Sequence, residues 1–300
     1  MGFLIRAFGA GKKEERLDAS HSSLTRRSVQ KFFSRKLSML GLCIVLFFIL
    51  AAIFAPVISI YDPMQIDPTL KFAPPSSEHL LGTDGVGRDL LTRLFYGGRI
   101  SILIGIMGAA CATTIGSALG CVAGYFGGPV NRIILYVNEI VSSFPYMILV
   151  IIMMAFSKGG LQSLIFIFAV TGWTGSMRIV RGKILSLREE TFVESCRANG
   201  IGNLSIMFRH LIPNTFGPII VDFTLGTGLY VLAEAAISFL GIGLDPSIPT
   251  WGNMINAART LNIIQNYPNV WLAPGIVISL FTLGINFFGD GLRDALDSKD

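Results

Sequence analysis

Long apolar stretches almost free of charge recur six times along this chain, and they decide what it can fold into. A helix needs roughly 20 apolar residues to cross a hydrocarbon core of about 30 Å. Residues 37–60 carry no charge, nor do 101–125, 140–157, 159–177 and 270–288; the stretch 216–240 is broken only by Asp222 and Glu234. Backbone polar groups in lipid must be paired within the span, which selects helices, and the alternating ten-residue strands of a barrel are missing. Composition agrees: 52% of residues are hydrophobic and 14% charged, against about 25% charged in a soluble domain. A disordered chain and a disulfide scaffold are excluded. The expected fold is an all-α integral membrane protein with six transmembrane helices. The first stretch follows 36 mostly polar residues and lacks a small-residue cleavage pattern, so it reads as a permanent helix rather than a signal peptide.

The net charge of +5 raises the question of nucleic acid, and the placement of the charges answers it. Nine basic residues precede the first span, at 6, 12, 13, 16, 26, 27, 31, 35 and 36, against three acids. Six more (Arg178, Arg181, Lys183, Arg188, Arg197, Arg209) fall between spans four and five. The three loops that would lie outside, between spans one and two, three and four, and five and six, carry four, one and one. Lys and Arg concentrate on the cytoplasmic side of membrane proteins. The tail 1–36, the 178–214 loop and the C-terminal 289–300 are therefore expected in the cytoplasm, and the basic charge serves topology rather than nucleic acid.

Span two holds Gly108, Ala112, Gly116, Gly120 and Gly124 at four-residue spacing. Helical geometry stacks them on one face, where small residues let backbones approach closely. Asp222 and Glu234 are the acids well inside a span, and a charge at mid-bilayer costs about 2.5–3.5 kcal/mol. Twelve residues separate them, about 18 Å along a helix, so they cannot share one small site. Each is a candidate for a translocation path, or a structurally paired residue near an interface. Cys43, Cys111, Cys121 and Cys196 lack metal-ligand spacing and read as small apolar residues. No metal and no cofactor is expected. Gly82–Gly87 has glycines but no GK[ST], which argues against a phosphate cradle. It reads as a turn ahead of an interfacial amphipathic helix over 88–99.

The fourth-to-fifth loop is too patterned to be a connector. Gly200 follows a helix-compatible run and suits the left-handed position that ends a helix. Asn203 or Ser205 can cap a second short helix, which would stop near Pro213. Phe192, Val193 and Cys196 form an apolar strip on the first helix, of the kind that seats in a groove on another protein.

These residues carry a resemblance. Glu194-Ser195-Cys196, then Gly200, then His210-Leu211-Ile212-Pro213 resembles the "EAA" loop of ABC importer permeases, with small residues standing where the family has two alanines. The segment 81–101 (Leu-Gly-Thr-Asp-Gly-Val-Gly-Arg-Asp), the segments 237–243 and 249–254, and the run Gly-Asp-Gly-Leu-Arg-Asp-Ala-Leu-Asp at 289–297 resemble C-type permeases of the dipeptide/oligopeptide/nickel group. The resemblance implies one N-terminal helix (37–60), an extracytoplasmic loop (61–99) and a five-helix permease core (100–288) containing the cytoplasmic coupling loop. It also implies partners: a second, B-type permease, two cytoplasmic ATP-binding subunits and an extracytoplasmic solute-binding protein, in the bacterial cytoplasmic membrane. Phe192, Val193, Glu194, Ser195, Cys196, Gly200, His210 and Pro213 would then couple the chain to the ATPases, with transport of peptides or a related small solute as the outcome. The chain itself has no Walker A sequence and no Ser/His/Asp order, so it is not expected to be an enzyme. The competing expectation is an ion-coupled secondary transporter using Asp222 and Glu234; such folds show repeated halves, and no internal repeat is present.

Overall fold

The computed structural model describes residues 29–296. The expected tail 1–36 therefore lies mostly outside the described residues, as do positions 297–300. Among the described residues there is no strand, only an isolated bridge between Thr83 and Asp89. Among the described residues the principal helices are α1 (Lys36–Ile53), α2 (Leu90–Phe126), α3 (Gly128–Ser142), α4 (Tyr146–Phe156), α5 (Leu161–Leu187), α6 (Thr191–Ala198), α7 (Phe216–Phe239), α8 (Trp251–Asn256) and α9 (Pro268–Leu296), with shorter helical pieces before and between them, among them 29–34 and Leu261–Asn266. Five of these, α1, α2, α5, α7 and α9, are long and apolar enough to cross a membrane.

The third expected span, 140–157, departs from the expectation. Its apolar residues form the 11-residue α4, set at 83° to α3. Six spans are reached only if that bent pair counts as one. Pro145 occupies the N-cap position of α4, with φ −57° and ψ 124°. That extended backbone ends α3 and lets the chain turn.

Helix α2 is also longer than expected. No separate interfacial helix exists over 88–99; the helix starts at Leu90 and runs unbroken for 37 residues, about 55 Å, well beyond a hydrocarbon core. Asp89 starts it, its carboxylate accepting from the Thr92 N–H at 2.7 Å. The expected first span ends early, at Ile53, and the helical turn Ala55–Ile58 restarts on Pro56. At the other terminus, 289–296 is not a free tail. It continues α9, with Gly289 against Leu225 and Gly291 against Ser38 and Phe32, while Arg35 pairs with Asp294.

Small residues set the helix spacing. A Cβ on Gly116 would lie 2.6 Å from the Trp173 carbonyl oxygen, and one on Gly120 would lie 2.6 Å from that of Met177. Gly124 faces Ile184, and Gly108 faces Phe168 and Tyr230. Ala112 is buried in the same core, with Leu164, Ile167 and Phe168 of α5. The small-residue stripe of α2 thus lies along α5, backbone close to backbone. Gly41 of α1 meets α9 at Gly284 and Phe288 in the same manner.

The two ends of the bundle differ. At the end where α2 begins, here called the cap end, residues 61–89 and 241–267 fold over the helices. Phe72 stacks on Tyr267 at 4.2 Å, and Asn269 donates to the Leu81 carbonyl at 2.9 Å. At the opposite, elbow end, the 188–214 segment packs beneath the ends of α2 and α5.

Candidate functional site

The elbow begins with α6, two turns long. Its end is a Schellman arrangement: Gly200 N–H donates to the Arg197 carbonyl and Ile201 N–H to that of Cys196, each at 3.0 Å. Gly200 sits at φ +71° with open space around a would-be Cβ, so glycine is favoured there by backbone conformation and not by crowding. The following helical residues 203–214 contain a π turn, Ile206–Leu211. Neither Asn203 nor Ser205 caps them, and Pro213 does not stop them: it lies inside the turn Ile212–Asn214, and the break falls at Thr215. His210 is half-buried and its carbonyl accepts from Asn214; Pro213 is exposed.

Two residues of the apolar strip of α6, Val193 and Cys196, point inward, contrary to expectation, and Phe192 alone faces out. Val193 is 0% exposed and Cys196 9%, packed with Cys121, Tyr125, Val180 and Ile184 of α2 and α5 and with Ile206, Met207 and Leu211. They seat the elbow on its own chain. Burial stabilises a Val side chain by about 1.5–3 kcal/mol, enough to hold a two-turn helix that could not persist alone. What faces outward is Phe192, Glu194 and Ser195, followed by Leu204 and Phe208 at 67% and 60% exposure. Glu194 forms no ion pair among the described residues.

Tyr125, a residue not singled out from the sequence, fastens the elbow to α2. Its hydroxyl donates to Asn203 Oδ1 at 2.8 Å, and the Arg197 guanidinium lies over its ring at 5.2 Å. Arg188 donates to the Gly124 carbonyl at 3.1 Å. These contacts bind the elbow to the ends of α2 and α5. The sequence signal was present, an aromatic residue at a span end, but its partner lies 78 residues away.

The two acids of α7 have unlike settings. Asp222 accepts from Thr113 of α2 at 3.4 Å and from Ser176 of α5. It also lines a cavity of about 330 Å³ near the elbow end, together with Pro218, Val221, Leu225, Arg293 and Leu296. Glu234 is fully buried. Ser101 donates to its Oε2 at 3.0 Å, and Ser238 and Thr250 to Oε1 at 2.9 Å each. Ser101 in turn accepts from the Trp251 N–H at 3.1 Å, so one carboxyl binds α2, α7 and α8 together. Of the two alternatives for Glu234, this enclosed and fully paired setting fits the structurally paired residue rather than one lining a path.

The Gly82–Gly87 segment is a structural turn. Asp84 accepts from the Val86 and Arg88 N–H groups at 3.0 Å and from Arg88 Nε at 2.7 Å, with Arg93 Nε 3.9 Å away. His79 Nδ1 lies 2.9 Å from Asp89. Nearby, the Thr69 hydroxyl and backbone N–H hold the half-buried Asp67 below the usual carboxylate range. No metal-holding group of His, Cys, Asp and Glu occurs among the described residues.

An all-α bundle of membrane-length helices, with a helical elbow bound to two of them, defines an integral membrane protein. Residues 116–299 match the family described as the binding-protein-dependent transport system inner membrane component, and residues 23–75 match the N-terminal transmembrane domain of oligopeptide transport permease C. The chain belongs to the binding-protein-dependent transport system inner membrane component family. It is 40% identical over 274 residues to a dipeptide transport system permease protein of Alkalihalophilus pseudofirmus, covering 91% of this chain and 90% of the relative. An oligopeptide transport system permease protein of Bacillus subtilis is 36% identical over 285 residues (95% and 93% covered). A glutathione transport system permease protein of Pectobacterium atrosepticum is 35% identical over 283 residues (94% and 93%). The chain is thus a transport subunit of the inner membrane and not an enzyme, in a class of system that depends on a binding protein. The ion-coupled alternative through Asp222 and Glu234 falls with that membership.

Proposed function

We propose that this permease moves peptides into the cell, in complex with a second, B-type permease, two cytoplasmic ATP-binding subunits and an extracytoplasmic solute-binding protein. Both termini and the elbow lie in the cytoplasm in this reading, supported by the concentration of Lys and Arg at the tail and at 178–209. The peptide class is supported by the names of the relatives above, which specify dipeptide, oligopeptide and glutathione.

The observation that carries the coupling role is the two-sided elbow. Val193, Cys196, Ile206 and Leu211 anchor it inward, while Phe192, Glu194, Ser195, Leu204 and Phe208 present an outward face. An ATPase that grips the outward face moves the anchored face with it. Tyr125 and Arg188 pass that displacement to α2, and Val180 and Ile184 pass it to α5. Gly200 fixes the angle between the two arms of the elbow. Asp222, on its cavity, is the α7 acid placed to meet a passing solute; Ser176 and Thr113 hold its carboxylate ready.

Uptake of a labelled dipeptide by proteoliposomes holding the complete complex tests this. Uptake should require ATP and the binding protein and should survive collapse of the proton gradient. Uptake that continues without ATP and stops when the gradient collapses would overturn it.

A further inference from the structure

Three arginines, Arg88, Arg93 and Arg99, stand near the cap end of α2, where topology by positive charge would place few. Two are accounted for: Asp84 pairs with Arg88 at 2.7 Å, with Arg93 3.9 Å from the same carboxylate, and Arg93 also donates to the Pro63 carbonyl at 3.0 Å. Arg99 is different. It is exposed, rests near the Tyr96 ring at 5.8 Å, and has no carboxylate within ion-pairing distance among the described residues.

Below Arg99 lies a groove of about 320 Å³ between α1 and α2, lined by Ile49, Ala52, Ile53, Ile102, Leu103 and Ile106. The spacing explains its shape. Arg99, Ile102, Leu103 and Ile106 follow the i, i+3, i+4, i+7 pattern of one helix face, and Ile49, Ala52 and Ile53 supply the facing stripe. The groove has one cation at its mouth and only apolar side chains behind it, running about 10 Å from Arg99 to Ile106 along the helix axis. A guanidinium is the side chain best suited to grip a phosphate, and the walls suit an acyl chain.

We infer that this groove is a binding site for an anionic phospholipid, its phosphate on Arg99 and an acyl chain between α1 and α2. The charge that α2 leaves unpaired is met by the headgroup, and the seam between the N-terminal helix and the core is filled by the chain. This inference is independent of which solute is transported.

The test uses the assembled transporter in detergent, supplied with phosphatidylglycerol or with phosphatidylcholine of the same acyl chains, and native mass spectrometry to count retained lipid. A basic residue near a membrane surface contributes about 1 kcal/mol toward an anionic lipid, equivalent to about fivefold in retention. Arg99→Gln should lower retained phosphatidylglycerol about fivefold with phosphatidylcholine unchanged, and Arg99→Lys should preserve most of the difference. Leu103→Trp, at an exposed groove position, should reduce retention of both lipids. Equal phosphatidylglycerol retention in Arg99→Gln and the native chain would overturn the inference. So would quantitative cross-linking of a Leu103→Cys variant to the second permease, which would show the groove covered by protein.

Discussion

Glu234 and Asp222 stand on one helix, yet one is enclosed by three hydroxyls and the other borders a cavity. The same contrast separates the two ends of the bundle. The cap end is tied by polar groups that are each satisfied: Glu234 joins three helices, Asp84 holds two arginines, and Asp89 both caps α2 and meets His79. The elbow end keeps a carboxylate, Glu194, in reach of solvent, while exposed apolar side chains occur at both ends, Leu204 and Phe208 at the elbow and Ile60 and Leu261 at the cap. Burial with full pairing rigidifies a region. Exposure of apolar surface marks a region that meets something else. The difference teaches that chemical type alone does not assign a role to a membrane acid; its partners do.

The strongest way to break this contrast is at the clamp. Glu234→Ala strands the hydroxyls of Ser101, Ser238 and Thr250, at about 1–3 kcal/mol for an unsatisfied buried group; a loss of about 3 kcal/mol in all is expected, read as a marked fall in the thermal unfolding midpoint of the purified complex. Asp222→Asn, by contrast, should change that midpoint little while lowering peptide uptake. If both variants unfold alike, the distinction between the two acids fails.

The helix seam gives the next largest effect. Gly116→Val forces its branched side chain against the Trp173 carbonyl and Ser176, and overpacking costs typically 1–3 kcal/mol. Gly175→Ala, where nothing lies within 4 Å of the new carbon, should be neutral in the same melting experiment.

Two smaller changes sharpen the elbow. Gly200→Val places a β-branched residue at φ +71°, a left-handed conformation that costs roughly 1–2 kcal/mol. ATPase co-purification should weaken, and Gly200→Asn, which tolerates that backbone, should restore most of it. Tyr125→Phe removes the bond to Asn203, at about 0.5–1.5 kcal/mol. Its melting midpoint should stay close to native, while ATP-driven uptake falls.

Much of the fold was readable from apolar run length. The stretch 216–240 matches α7 closely, and 270–288 lies wholly within α9, because a span of that length has no alternative to a helix in lipid. The bend between α3 and α4 was not readable, since 128–142 is amphipathic and its polar face is turned onto α5: Asn131 accepts from Arg181 at 2.6 Å, and Asn138 donates to the Thr174 carbonyl at 3.1 Å. A helix beginning near residue 88 was legible after the Gly82–Gly87 turn, and an Asp at 89 suits its N-cap; that it runs on unbroken into the second span was not, because Arg99 interrupts the apolar run. At the elbow, Gly200 announced its role through its position after a helical run. The direction of Val193 and Cys196 did not, because periodicity shows that residues share a face without showing what that face meets.

The central claim is that the outward face of α6 carries the ATPase's motion into the bundle. Cysteine cross-linking in the assembled transporter tests it most directly, with the exposed Ser195→Cys set against the buried Val193→Cys in a background whose native cysteines are replaced. The account predicts that position 195 cross-links to an ATPase subunit with a yield that changes when ATP is added, and that position 193 does not. Cross-linking at 195 only to the second permease, insensitive to ATP, would contradict it.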